Sequence, residues 1–176
     1  LRHDHKESEV DEDLEGSLKD WCFAIEHMEY ETSGCLLKDD NIIGYIDIYP
    51  LKDEAYRKLI NGECIIRDDM IEIYGFGGVF PAYIAMIALT PEEEGFSNYY
   101  RMFDWLFEHI AYWKKNHIKL SRIGISVYSV LLEQFLKALG FKFIGTNPAK
   151  GKIYETSYDD LVNSSAVKCR YENLEL

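Results

Sequence analysis

The second half of the sequence alternates short strand patterns with two amphipathic helix patterns, an order that few folds accommodate. The longer helix pattern has apolar side chains at the three- and four-residue spacing of one buried helical face. Its apolar positions are Tyr99, Met102, Phe103, Leu106, Phe107, Ile110 and Trp113. We predict one helix from Asn98 to about His117. A second is predicted in "SVLLEQFLKALG", Ser129 to Gly140, with the glycine at its end.

Strand patterns surround both predicted helices. "AYIAMIAL" precedes the long helix, "SRIGISVY" separates the two helices, and "FKFIG" and "KIYETSY" follow the second one. Strands that alternate with helices indicate an α/β sheet, and strands joined as hairpins indicate that the sheet is mixed rather than purely parallel.

The first half of the sequence predicts shorter elements. Leu14 to Tyr30 has the pattern of one or two short helices, and "SGCLLKDDNIIGYIDIYPL" predicts a hairpin with a polar turn. Asp53 to Leu59 predicts a short helix closed at Asn61 and Gly62, and "MIEIY" predicts a strand before the flexible "GFGG". The predicted order is therefore α, β-β, α, β-β, α, β, α, β, β.

Length and composition favour one domain over residues 1–176, with residues 1–13 and 160–176 peripheral to it. A chain of 176 residues, 47% of them hydrophobic, can bury one sizeable core. It begins with Leu1 rather than Met, which leaves open that upstream residues, an N-terminal strand among them, are missing. The sequence has neither a run of roughly 18 to 20 apolar residues nor a signal segment, so we expect a soluble, cytoplasmic protein.

Cysteine spacing and net charge argue against several classes of function. Cys22, Cys35, Cys64 and Cys169 form no C-x-x-C pair, so we expect reduced thiols and no metal site. The formal net charge of -12 opposes binding to nucleic acid or to an anionic membrane. The glycines of "GFGGVFPAY" lack the lysine and the following helix of a phosphate-binding loop. The expected partners are small molecules, cationic substrates or another protein.

Three segments, in order, resemble the GNAT superfamily of acyl-CoA N-acyltransferases over roughly Trp21 to Tyr158. They are "NIIGYIDIYPL", "YIAMIALTPEEEG" and "SRIGISVYSVLLEQFLKALGFKFIG". The resemblance implies a mixed central sheet that is splayed open and flanked by helices. It also implies that the pantetheine arm of acetyl-CoA, or of another acyl-CoA, pairs with the central strand, while the pyrophosphate lies at the start of the next helix, where free N–H groups and the helix dipole favour an anion.

The implied cofactor contacts fall into three groups. They are Met86, Ile87, Ala88 and Leu89 on the central strand, Gly95, Phe96, Ser97, Asn98 and Tyr99 at the turn and helix start, and Ser129 at the start of the second helix.

The chain departs from the family pattern at two places. In the turn, which in the family resembles P-E-x-R-G-x-G-x-G/A, Glu94 stands at the arginine, and Ser97 and Tyr99 stand at two of the three glycines. A carboxylate about 5 Å from a phosphate oxygen costs about 1 kcal/mol in water and about 3 kcal/mol at an effective dielectric constant near 20. In the second helix, Leu136 stands where the family has a tyrosine that protonates the leaving thiolate.

The resemblance implies direct attack of an amine on the thioester, with no covalent enzyme intermediate and with the thioester oxygen held by an amide near Ala88 or Leu89. Glu72, between isoleucines of "MIEIY", is the leading candidate for the base, and Asp47 in "YIDIY" has a similar context. A solvated glutamate on a half-exposed strand explains the same pattern. Tyr128 is the candidate proton donor, the alternative being a tyrosine that only packs.

Two hypotheses of different class remain open. The first is an N-acetyltransferase or related N-acyltransferase that uses an acyl-CoA and a small-molecule or peptide amine, with a cationic amine suited to the acidic surface. The second is a degenerate GNAT-like domain that serves as a binding or regulatory module. The edge strands of a splayed sheet leave a homodimer open.

Overall fold

The computed structural model describes residues 17–26, 31–71 and 77–171, which form a six-stranded sheet with helices on both faces. The strands are β1 (Ser33–Lys38), β2 (Asn41–Pro50), β3 (Gly78–Leu89), β4 (Ile118–Val127), β5 (Lys142–Thr146) and β6 (Lys152–Ser157). The helices are α1 (Leu18–Glu26), α2 (Asp53–Ile60), α3 (Phe96–Lys115), α4 (Val130–Ala138), α5 (Tyr158–Asn163) and α6 (Ser165–Arg170). Two 3-10 turns cover Asp68–Met70 and Pro91–Glu93.

The sheet is of mixed direction, as predicted. Its strand order is β1-β2-β3-β4-β6-β5, and β3 pairs with β4 in parallel while the other neighbouring strands pair antiparallel. The parallel pair is joined by α3, which is the crossover helix that such a connection requires. Of the described elements, β3 and β4 therefore form the centre of the sheet.

The predicted hairpin of β1 and β2 is confirmed. Asp39 and Asp40 occupy its turn with φ of 49° and 63°, which suits a two-residue turn between strands because short polar side chains tolerate this region. Alternation along β2 then places Ile46 and Ile48 on one face of the sheet and Asp47 on the other.

The larger core lies between the sheet and helices α3 and α4. The predicted apolar stripe of α3 is buried, and Phe135 of α4 lies against four of its aromatic rings at centroid distances of 4.9 to 5.7 Å. Glu133 fastens α4 to β6 by accepting from Lys137, Lys152 and the Tyr154 hydroxyl. These partners, Lys137 foremost, lower the pKa of Glu133 to about 2.

A smaller core lies on the opposite face of the sheet, under α2. Tyr49 and Tyr83 of neighbouring strands are buried there together with Tyr56 and Leu59 of α2. Trp21 of α1 extends this aromatic surface, with its ring 5.9 Å from that of Tyr49. None of the helices in the described ranges combines the length and apolarity of a membrane span.

Two parts of the predicted order differ from the structure. Met70 lies in a 3-10 turn rather than a strand, and Ile71 makes only an isolated bridge to Leu51. The rest of the predicted "MIEIY" strand lies outside the described residues. At the other end of the chain, the predicted order lacks helices α5 and α6. These helices bury Leu161 and Val167. Arg170 of α6 donates two hydrogen bonds of 2.6 Å to the carboxylate of Asp104 on α3, which holds α6 in place.

Candidate functional site

The sheet opens where β3 and β4 stop pairing. Their parallel register runs from Gly78 opposite Ile118 to Ile84 opposite Ile125, but β3 continues to Leu89. Beyond Ile84, β3 is paired only with β2, as far as Leu89 opposite Gly44. The β3–β4 opening, as we name this gap, therefore leaves one backbone edge of residues 85–89 without a strand partner within the described part of the chain.

Two helices begin at the β3–β4 opening, because each of the two parallel strands is followed by a helix. Gly95 precedes α3 in an extended conformation, and the first intrahelical bond runs from Tyr99 N–H to the Gly95 carbonyl at 3.0 Å. Ser129 caps α4 by accepting from Leu131 N–H and Leu132 N–H at 3.2 and 3.3 Å. Helix N-termini favour anions through their unpaired N–H groups and dipoles, so both positive helix ends face this part of the molecule.

The Glu94 carboxylate already lies between these two helix starts. Its Oε1 accepts a hydrogen bond from the Tyr99 hydroxyl at 2.7 Å and a second from the Ser129 hydroxyl. These two donors, Ser129 first, lower the pKa of Glu94, so it is a carboxylate at neutral pH. The protein's own anion thus links the start of α3 to the cap of α4.

Further contacts hold the turn before α3 in place. Glu93 forms an ion pair with Lys38 at the end of β1, and the Asn98 amide donates to the Glu93 carbonyl at 2.8 Å. Arg101 donates weakly to Asn98 at 3.3 Å. The turn is therefore tied to the hairpin and to α3 as well as to α4.

Exposed apolar side chains lie on the elements that border the β3–β4 opening. Met86 of β3 is 50% exposed, Phe96 at the start of α3 is 39% exposed, and Val130 at the start of α4 is 68% exposed. Apolar groups at neighbouring element ends offer a surface for an apolar ligand segment.

Asp47 is the buried carboxylate of the face opposite α3. It is 8% exposed, pairs in register with Ser33 of β1 and Met86 of β3, and its Oδ1 has no hydrogen-bond partner among the described residues. Burial raises the pKa of Asp47, while the hydroxyls of Ser33 and Tyr45 oppose the shift. Such a carboxyl group is better suited to accept a proton than a solvated one.

A hydroxyl network lines the β4 side of the same face. Tyr83 and Ser126 share a hydrogen bond of 2.7 Å, and the Asn147 amide donates to Ser126 at 2.9 Å and to the Tyr128 hydroxyl at 3.0 Å. Burial raises the pKa of Tyr83 to about 12, against the effect of the Ser126 bond. Tyr128 itself is 67% exposed, directly after β4.

The structure brings most of the predicted site residues to one region. Met86, Ile87, Ala88 and Leu89 lie on the open edge of β3, and Gly95 to Tyr99 lie at the start of α3. Ser129 caps α4, and Tyr128 lies between β4 and this cap. Both hydrogen-bond donors of Tyr99 are used within the protein, its backbone N–H by the Gly95 carbonyl and its hydroxyl by Glu94. Glu72, the leading candidate base, lies outside the described residues.

Sequence reasoning missed Asn147, which lies in the turn between β5 and β6. The dipeptide Asn147-Pro148 signals a turn and nothing more, so the reach of this amide to β4 had no local signal. In the parts of the chain that the structure describes, no three His, Cys, Asp or Glu side chains gather in a way that could hold a metal ion.

Comparison of the chain with protein-family models and with curated proteins gives no match.

Proposed function

We propose that the protein is a GNAT-like N-acyltransferase that transfers an acyl group from acetyl-CoA or a related acyl-CoA to an amine. One observation carries the proposal: the only parallel pair among the described strands separates beyond Ile84 and Ile125, directly in front of two helix starts. An open strand edge can pair with the amides of a pantetheine arm, as in strand addition. The helix starts offer N–H groups to a pyrophosphate.

The acid and base candidates border the β3–β4 opening from two sides. Asp47 lies on β2 and Tyr128 follows β4, and β3 lies between these two strands. Neighbouring strands in a sheet lie roughly 4.8 Å apart. The strands that carry the two candidates are therefore separated by two such spacings, and by more where β3 and β4 diverge. A thioester carbonyl and an attacking nitrogen fit between groups placed so. Asp47 is the base that the described residues offer in addition to the predicted Glu72.

The proposed reaction consumes one thioester and one ammonium ion. Asp47 takes a proton from the ammonium, and the neutral amine attacks the carbonyl carbon. The C–S bond breaks, its electron pair goes to sulfur, and the Tyr128 hydroxyl gives its proton to that sulfur. The nitrogen then returns a proton to the tyrosinate, which leaves the amide, CoA thiol and one proton released from Asp47 to solvent.

An amine acceptor suits both the local and the overall charge. Asp47 is a buried carboxyl group with an unused oxygen, which a positively charged nitrogen would satisfy. The net charge of -12 also attracts cationic molecules over longer distances. The proposed substrate class is therefore a primary amine on a cationic small molecule or a lysine-rich peptide.

Calorimetric titration with acetyl-CoA tests the proposal, with acetyl-pantetheine as the matched ligand that lacks the pyrophosphate and the nucleotide. We expect micromolar binding of acetyl-CoA and at least about tenfold weaker binding of acetyl-pantetheine, because the helix starts contribute only to the first. Release of CoA thiol on addition of spermidine then tests transfer. Absence of acetyl-CoA binding at millimolar concentration would refute the proposal.

A second candidate function is supported by the Glu94 contacts. If the carboxylate between the helix starts excludes phosphates altogether, the domain is a binding or regulatory module without acyl-CoA chemistry. This alternative predicts no acetyl-CoA binding by the wild type, and binding that appears only in a variant that lacks the Glu94 charge.

A further inference from the structure

We infer that Asn147 is a positioning residue that orients Tyr128 as a hydrogen-bond donor toward the β3–β4 opening. The contacts that define this role are independent of any ligand. The chemical step that this orientation serves, protonation of the leaving sulfur by Tyr128, rests on the acyltransferase function proposed above.

The orientation of the Asn147 amide is fixed by the turn that contains it. The backbone N–H of Gly151 donates to Asn147 Oδ1 at 2.7 Å, and the backbone N–H of Asn147 donates to the Gly151 carbonyl at 2.9 Å. Asn147 is 7% exposed. With its oxygen committed to Gly151, the side chain presents its two N–H protons on the other side, to Ser126 and Tyr128.

This arrangement determines which partner donates in the bond to Tyr128. An amide nitrogen has donors and no acceptor, so the Tyr128 oxygen must accept. The phenolic proton of Tyr128 is then available to another acceptor, and within the described ranges no hydrogen bond uses it. Because Tyr128 is 67% exposed just after the end of β4, that acceptor can come from a ligand.

The position of the Tyr128 ring is fixed by contact with Gly151. A Cβ atom at Gly151 would lie 2.6 Å from Cζ of Tyr128 and 2.8 Å from its hydroxyl oxygen. The ring therefore lies against bare backbone, where any larger residue would displace it. Asn147 and Gly151 together define the direction and the location of the hydroxyl.

The same contact supports proton transfer as well as orientation. When Tyr128 gives its proton to the departing sulfur, negative charge develops on the phenolic oxygen. The side-chain N–H of Asn147 already points at that oxygen. A hydrogen-bond donor to the tyrosinate stabilises its charge without rearrangement of the site.

The test uses four variants of the full chain. Y128F removes the phenolic oxygen and keeps the ring. N147D keeps the shape of the side chain but replaces the donor nitrogen by an acceptor, which would draw the Tyr128 proton away from the opening. G151A displaces the ring and takes the place of N147D if N147D does not fold. N163D is the matched control, since it makes the same chemical change at an exposed asparagine of α5.

The first readout is the side-chain amide of Asn147 in a ¹H–¹⁵N spectrum. We expect two exchange-protected protons, one of which moves upfield and loses protection in Y128F while the other, bonded to Ser126, persists; N163D should change neither. Two unchanged protons in Y128F would overturn the inference. This readout needs no activity, so it decides the positioning claim even if acyl transfer is absent and the proposed function fails.

The second readout is steady-state kinetics of acyl transfer. We expect kcat to fall roughly 10² to 10⁴-fold in Y128F and at least about tenfold in N147D or G151A, with KM for the acyl-CoA within about twofold. Y128F combined with N147D should be no slower than Y128F alone, because the two residues act as one unit. An unchanged kcat in N147D, or fully additive losses in the double variant, would overturn the inference.

Discussion

Neutralising Glu94 should strengthen acyl-CoA binding, because its carboxylate lies where the cofactor phosphates are proposed to bind. E94Q removes the charge and keeps a side-chain oxygen that can accept from Tyr99 and Ser129. For a phosphate oxygen about 5 Å away, the repulsion removed is about 1 to 3 kcal/mol across the range from water to an effective dielectric constant of 20. That corresponds to a roughly 5- to 150-fold lower Kd for acetyl-CoA.

The assay is calorimetric titration of wild type, E94Q and E92Q with acetyl-CoA. Glu92 is an exposed residue of the 3-10 turn that precedes Glu94, so E92Q makes the same change in net charge and controls for long-range repulsion of the anionic ligand. We expect E94Q to bind at least about fivefold more tightly than E92Q, with a difference that shrinks at high salt. Equal affinities of the two variants would refute the placement of the phosphates beside Glu94.

Three further predictions concern stability. G34A should lose about 1 to 3 kcal/mol in urea unfolding, because its Cβ would lie 2.6 Å from the Trp105 ring; an unchanged unfolding midpoint would contradict this packing. Lys137 and its neighbours lower the pKa of Glu133 from 4.5 to about 2. As pH falls through this range, wild type should therefore lose stability relative to E133Q, and above it the difference between the two proteins should be constant. Tm curves of wild type and E133Q that stay parallel over the whole pH range would contradict these contacts of Glu133. Burial raises the pKa of Asp47 above its usual value of 3.8, so ionisation of this carboxyl group destabilises the fold as pH rises above that value. D47N should therefore abolish transfer and yet have a higher Tm than wild type at pH 7, a gain that disappears below pH 3.8; a lower Tm of D47N at pH 7 would contradict this prediction.

The spacing of apolar residues predicted helices and strands well where the burial of one face determines that spacing. The stripe from Tyr99 to Trp113 identified α3, since a long helix against a sheet must bury every third or fourth side chain. The hairpin turn at Asp39 and Asp40 was equally evident. The short helices α5 and α6 were missed because six residues each provide too little periodicity, although Leu161 is fully buried.

The candidate site was predicted only as far as it lies on consecutive residues. The turn from Gly95 and the strand residues near Met86 could be placed from the sequence because each belongs to one element. The contact of Glu94 with Ser129 joins residues 35 positions apart, and that of Asn147 with Tyr128 joins residues 19 apart. Such contacts depend on how the strands pair, which local periodicity does not specify.

Hydrogen–deuterium exchange with and without acetyl-CoA tests the central claim, that the β3–β4 opening binds the cofactor, most directly. We predict slower exchange in peptides covering residues 85–89 and 95–98, where a pantetheine arm and a pyrophosphate would occupy backbone N–H groups. The edge strand β5, at the end of the sheet, should be unaffected. Exchange that stays unchanged at residues 85–98 at millimolar acetyl-CoA, in wild type and in E94Q alike, would contradict the account.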